Sequence, residues 1–268
     1  MEEHKTINMR LTHFSYKEAN SVFEPLLPLQ EVSLLFNRNT VGNLKAMGAV
    51  DLTICYILQT VTLDNKRRFA LSLTFEDEGE QLTYRFNVSE GEITVEINKV
   101  ILYIHRVTEQ NPYIEKLMSW AKLAHSLSFK KTDTEFTRTS ISSAYHRNIL
   151  FIMMKSLSEA SLNKVINQAD QLGYHISSTE TINHDELHAI YLLTYMEYIS
   201  SRKKPSLLLL DNFCEGLDYD RSIQLGRLLF SFCLKHNIQL IVSSNNTFFI
   251  NMLKLKYWNI LLRKESEM

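Results

Sequence analysis

The spacing of apolar positions changes several times along the chain, and each change predicts a different element. Residues 6–14 (TINMRLTHF) alternate apolar and polar side chains, the period of a half-buried strand. Residues 15–30 carry two prolines and read as a loop. Residues 31–37 (EVSLLFN) predict a second strand with an apolar centre, residues 38–43 a polar turn, and residues 44–61 a helix. Four β-rich runs follow at 69–75, 81–88, 93–95 and 100–104, broken by Glu78-Gly79 and Glu90-Gly91. Short runs separated by such turns predict a strand meander.

From Pro112 to about Gly173 the period is helical, with one amphipathic piece over 113–126 and one or two more over 140–172. Residues 130–139 (KKTDTEFTRT) are polar, lack a period and read as an exposed turn. A third block alternates helix and strand: helix 185–201, strand 206–210, helix 220–236, strand 238–243, helix 247–253 and strand 257–263. That alternation calls for a parallel sheet with helices on its faces, so the fold class is α/β.

The run Ser206 to Leu210 is almost wholly apolar and stops abruptly on Asp211. A continuous apolar strand suits a parallel sheet covered on both faces. Ligands of such sheets bind beyond the carboxyl ends of the strands, where Asp211 would sit. A polar turn, Glu215-Gly216-Leu217-Asp218, then opens the next helix. Strand 31–37, turn 38–43 and helix 44–61 share the layout of a phosphate-binding loop. Such a loop turns backbone N–H groups toward phosphates, with a Lys on the β/γ oxygens and a Ser/Thr hydroxyl on magnesium.

Together these stretches resemble the bacterial ATP-binding-cassette (ABC) ATPases of the RecF/SMC/OLD-like AAA group, the head domains of chromosome maintenance and recombination. Ser206–Asp218 resembles their Walker B strand and D-loop, and the likeness runs along nearly the whole chain. It implies a P-loop NTPase of the ABC head type, with a mixed or parallel sheet, a β-meander lobe and an inserted helical subdomain. It divides a single head-like domain, 1–268, into a degenerate P-loop and meander lobe (1–108), a helical insertion (109–176) and a signature, Walker B and D-loop lobe (177–268).

The resemblance also assigns roles, and each phosphate-handling station departs from the family pattern. Relatives read Gly-x-Asn-x-x-Gly-Lys-Ser before the first helix. Here Asn37 stands for the first glycine, Asn39 and Gly42 match, and the Lys-Ser pair is missing, leaving Asn43, Leu44 and Lys45 behind Gly42. The implied nucleotide-binding set is Asn37, Arg38, Asn39, Thr40, Gly42, Asn43, Lys45 and Asn245. Lys45 reaches phosphate only if the helix begins late. Asp211 matches the Walker B acid, but Asn212 replaces the carboxylate that orients the attacking water, and an amide is no base. Glu215 is a weak substitute, because relatives carry an acid there too.

Asn183, His184, Asp185 and Glu186 occupy the place of the signature motif, with Asp185 where relatives have glycine. Gly216 and Asp218 match the D-loop, which in the family meets a second subunit. Plain readings stand beside these roles: a capped helix start for 183–186, turn chemistry for Asn212 and a helix N-cap for Asp218. Asn245, a neutral amide, stands where relatives place a γ-phosphate sensor. ATP and magnesium are the implied ligands, with weak or absent binding expected.

Composition adds limits. With 45% hydrophobic and 22% charged residues, the chain carries ordinary core-forming material. A net charge of −1 gives no global attraction to nucleic acid or membrane. The basic clusters Lys66-Arg67-Arg68, Lys130-Lys131 and Arg202-Lys203-Lys204 read as solvated loops and leave nucleic-acid backbone contact open. Cys55, Cys214 and Cys233 lie far apart in apolar settings, as reduced core thiols of a cytoplasmic protein do. No apolar run is long enough to span a bilayer, and the polar start, Met1 to Lys5, does not resemble a leader. His184 and His188 read as a solvated helix start rather than a metal site.

The functional expectation is a degenerate ATPase-like subunit with a structural or regulatory role in a bacterial anti-phage defence or DNA-maintenance complex. The tail, residues 255–263, resembles the closing strand of small bacterial proteins of this kind, many of them defence proteins. The alternative is a working ATPase using Lys45, Asp211 and Glu215. Either way the resemblance implies an oligomer, a homodimer or a hetero-oligomer with an ATPase or effector subunit.

Overall fold

Strand Leu207–Asp211 is buried along its whole length and sends alternate side chains into two separate cores. Leu207 and Leu209 join one cluster with Leu35, Ile241, Val50, Trp120 and the meander; Leu208 and Leu210 join the other with Leu34, Val242, Leu192 and Leu229. Period-two alternation in a strand with no polar face is what burial on both sides demands. A computed structural model describes residues 9–18, 26–36, 40–58, 68–89, 92–97, 100–103, 112–128, 150–174, 184–200, 202, 205, 207–213, 217–244 and 254–260.

The chain opens with β1 (Arg10–Glu18), β2 (Leu26–Pro28), β3 (Val32–Phe36) and α1 (Thr40–Ile57). The meander follows as β4 (Phe69–Asp77), β5 (Glu80–Ser89), β6 (Glu92–Ile97) and β7 (Val100–Tyr103). Next come α2 (Pro112–Leu123), β8 (Ala124–Ser128), a helical stretch at 150–155 (α3) and α4 (Glu159–Gln171). The last block is α5 (His184–Ser200), β9 (Leu207–Asp211), α6 (Tyr219–Lys235), β10 (Gln239–Ser244), a 3₁₀ turn (Leu255–Tyr257) and β11 (Trp258–Ile260).

Two sheets result. One is antiparallel, in the order β2-β1-β4-β5-β6-β7; the other is parallel, in the order β11-β3-β10-β9-β8. The α1 helix is buried from Met47 to Ile57 because the parallel sheet, the meander and α2 surround it. Covering the opposite face are α5, itself buried nearly all round, and then α4 and α6. At the tip between β4 and β5, Glu78 and Gly79 have φ of 52° and 86°, the two left-handed residues of a type I′ hairpin.

Several boundaries differ from the sequence reading. The first strand runs on to Glu18, and the proline-bearing loop holds β2, which pairs with β1 through Phe14 and Leu27. The first helix begins at Thr40 rather than Leu44 and ends at Ile57. The helix expected over 113–126 stops at Leu123, and the chain passes directly into β8. Helical spacing over Ala124–Ser128 loses to pairing with β9, from Ala124↔Leu207 to Ser128↔Asp211. Within 112–128 the helix α2 packs on the meander and β8 joins the parallel sheet. The helix expected over 247–253 lies outside the described residues.

Contacts on two sides help join the antiparallel sheet to the rest. On the α2 side, Phe75 meets Trp120 edge-on at 4.8 Å and Tyr84 at 5.5 Å, Tyr84 Oη donates to the Tyr113 carbonyl at 3.0 Å, and Lys116 pairs with Asp77 at 2.5 Å. At the amino end of β10, buried Gln239 reaches β1. Its Nε2 donates to the carbonyls of Leu11 (2.6 Å) and Gln30 (3.1 Å), and its Oε1 accepts the Leu11 N–H at 3.2 Å. One side-chain amide thus takes the place of a strand neighbour where the β1–β4 register shifts, between Leu11 and His13. Gln239→Met keeps the length and removes all three bonds, stranding buried backbone groups. Guanidinium unfolding should show a loss of about 3 kcal/mol; a loss below about 0.5 kcal/mol would show that this clamp does not hold the sheets together.

Candidate functional site

The carboxyl ends of the parallel strands share one rim, and of the predicted site residues Asp211 and Asn212 lie on it. Asp211 ends β9 and is 6% exposed. Two residues on from Leu209, it faces the α1 side, as Ser243 does two residues on from Ile241. Register brings them level, one step past the Val242↔Leu210 pair. Ser243 Oγ donates a short hydrogen bond to Asp211 Oδ1 and accepts the Asn212 N–H at 3.1 Å. The Phe213 N–H reaches the Ser243 carbonyl at 3.4 Å.

Asn212 sits at φ +54°, in the left-handed region that asparagine tolerates better than most side chains. The turn sends Phe213 inward, fully buried, edge-on to His188 at 6.0 Å between ring centres. That contact sets His188, in the second turn of α5, against the turn that follows Asp211. Glu186 is half-buried in the first turn of α5, which also contains His184 and Asp185. Among the described residues no group of three or more His, Cys, Asp or Glu side chains is placed to hold a metal.

The β3 side of the rim, where the sequence reading expected phosphate contacts, is built differently. Only residues 37–39 lie between the end of β3 and the start of α1. Gly42, Asn43 and Lys45 are therefore inside the first turns of a helix, not in a loop ahead of it. A phosphate cradle needs a run of loop N–H groups before the helix starts. The described rim provides a buried acid, Asp211, while the connection between β3 and α1, residues 37–39, lies outside the described residues. Asn37, Arg38, Asn39, Asn183, Glu215, Gly216 and Asn245 lie outside the described residues.

Asp218 is the N-cap of α6. Its carboxylate accepts the Arg221 N–H at 2.9 Å and pairs with Arg221 Nε at 3.3 Å, while remaining exposed. Arg221 in turn lies over the Tyr174 ring at 4.4 Å and reaches the Gly173 carbonyl at 3.4 Å. It ties the end of α4 to the start of α6, beside an open hollow of about 460 Å³ that Gln171, Gly173, Asp220 and Gln224 help to line. Tyr219, 42% exposed, stands at its edge.

Sequence reasoning missed the work of Ser243, His188 and Arg221. Ser243 had one legible signal, a polar residue inside an apolar strand; the other two depend on packing between distant segments. Burial raises the Cys233 thiol to about 12, in keeping with an inert core cysteine. His125 Nδ1 and Tyr195 Oη are 2.7 Å apart, joining β8 to α5, and burial holds the Tyr195 phenol well above its usual range, so it stays neutral.

No family model matches the sequence, and no curated protein matches it. Solved structures do match. The SMC head domain from Thermotoga maritima superposes with a TM-score of 0.57 at 13% identity, over 94% of each chain. An SMC head bound to the C-terminal winged-helix domain of ScpA gives 0.59 at 10% identity, over 90% of this chain and 91% of that one. A third, an SMC head with an extended coiled coil bound to the C-terminal domain of ScpA, from Pyrococcus furiosus, gives 0.57 at 7% identity, over 91% of each. At such identities the likeness is one of fold alone. The chain has the α/β fold of an ABC-type ATPase head.

Proposed function

We propose that this chain is an ATPase-like subunit whose phosphate machinery is degenerate, serving as a structural or regulatory partner in a bacterial DNA-maintenance or anti-phage defence assembly. The observation that carries this reading is the start of α1 at Thr40, which puts Gly42 and Lys45 in the helix. A neutral Asn212 beside Asp211 supports it, since no base stands next to the acid. Residues 183–186 and 215–218 form the partner-facing surface, met by a second copy or a homologous subunit. SMC heads of the same fold bind ScpA domains, which suggests an accessory subunit as a further partner. The alternative, a working ATPase, draws support from the retained, buried Asp211.

Purified protein should hydrolyse ATP negligibly and gain little thermal stability from ATP with magnesium. A single site at 100 times Kd would add about 2.7 kcal/mol. Turnover near about 10 per second, abolished by Asp211→Ala, would establish the working enzyme instead.

Asn212→Glu should not restore turnover, because a base without a positioned phosphate achieves nothing. The left-handed backbone adds a second obstacle. Asn212→Glu and Asn212→Ala should each cost about 1 kcal/mol in urea unfolding, and Asn212→Gly should cost less than either. Equal losses for Gly and Ala would mean that this φ carries no strain.

Asp218→Arg should weaken self-association or co-purification with a homologous subunit, measured by light scattering. Because Asp218 also caps α6, Asp218→Ser is the control: it keeps the cap and isolates the charge. A monodisperse monomer that co-purifies with nothing would end the interface proposal.

A further inference from the structure

The corner at the end of β9 closes on one serine. Ser243 Oγ donates to Asp211 Oδ1 and accepts the Asn212 N–H at 3.1 Å, while its carbonyl accepts the Phe213 N–H at 3.4 Å. A hydroxyl has one proton to give and two lone pairs to accept with. Ser243 therefore bonds a side chain and a backbone N–H of the neighbouring strand at the same time. The parallel ladder does not demand a serine here. On the same face Leu35, Ile241 and Leu209 are all buried and apolar, and Ser243 itself is 1% exposed.

A carboxylate buried like Asp211 is costly unless hydrogen bonds support it. Ser243 supplies one such bond from within the chain, and its second bond restrains the N–H of Asn212. We propose that Ser243 is the positioning residue of this rim. It holds the Asp211 carboxylate and the left-handed turn at Asn212 in one orientation before any ligand arrives. Hydrogen bonds to a carboxylate set its direction in just this way at metal sites. The proposal deepens the reading of Asp211 given above and rests on it only for the meaning of that orientation. The three bonds stand whether or not ATP is consumed.

Amide exchange in the full-length protein tests it without nucleotide. In Ser243→Ala, the Asn212 amide should exchange about tenfold faster, as loss of one hydrogen bond predicts. The amides of Leu209 and Ile241, in the strand interiors, report global stability and should speed up less than that of Asn212, whereas a general loss of stability alone would raise all three alike. Ser243→Thr, which retains the hydroxyl, should restore slow exchange at Asn212. Asp211→Asn should leave the Asn212 amide slow, because its acceptor is the serine and not the acid. Should Ser243→Ala fail to fold, Ser243→Cys, with a weak donor and acceptor in place of the hydroxyl, is judged by the same rates. An Asn212 amide unchanged without the hydroxyl, or fast in Ser243→Thr, overturns the proposal. ATP binding and turnover decide the reading of function separately, so the two can fail independently.

Discussion

The structure depends on one sheet being buried on both faces. Five parallel strands carry side chains to two cores, and each core needs its own cover. On one side the cover is α1, α2 and the meander; on the other it is α3 to α6. A strand such as Leu207–Leu210 gains from burial at every residue, at roughly 1.5 to 3 kcal/mol for each leucine. The same arrangement gathers polar side chains at the carboxyl ends of the strands, opposite the Gln239 clamp. Asp211, Ser243 and Ser244 are all found at that carboxyl rim, and all three are buried.

Burial gives the rim its character. A buried carboxylate must find hydrogen bonds, and a turn leaving a buried strand must satisfy its backbone groups. Ser243 meets part of both requirements, and Asn212 tolerates the backbone angle that follows. Neighbouring segments are fixed to the same frame: His188 against Phe213 from α5, and Arg221 across Asp218, Gly173 and Tyr174 from α6. Gln239 works at the opposite end of β10, holding β1 to the parallel sheet. One strand thus joins β1 at its start and Asp211 at its end.

Much of the fold was legible in periodicity. The meander strands, the Glu78-Gly79 turn, the long helices and the apolar strand ending on Asp211 follow from spacing and turn chemistry, because those signals lie within a few residues of one another. Part of the site was legible for the same reason. Asp211 at a strand end and Asp218 before a helix are local patterns, and Asp218 does cap α6.

What tertiary structure decided is what depends on a distant partner. Ala124–Ser128 has a mixed pattern that suits a helix, and it is a strand because β9 offers it a ladder. Leu26–Pro28 pairs with β1 despite Pro28, at a sheet edge where a missing N–H costs little. The start of α1 at Thr40, which puts Gly42 and Lys45 inside the helix, is a boundary that spacing alone does not locate. Ser243 and Asp211 are far apart in the chain, and only the β9–β10 register makes them neighbours. By itself the sequence determined which faces are apolar and where strands end on acids, since these are properties of consecutive residues. The sheet order and the hydrogen bonds across the rim arise only when separate segments compete for the same buried space.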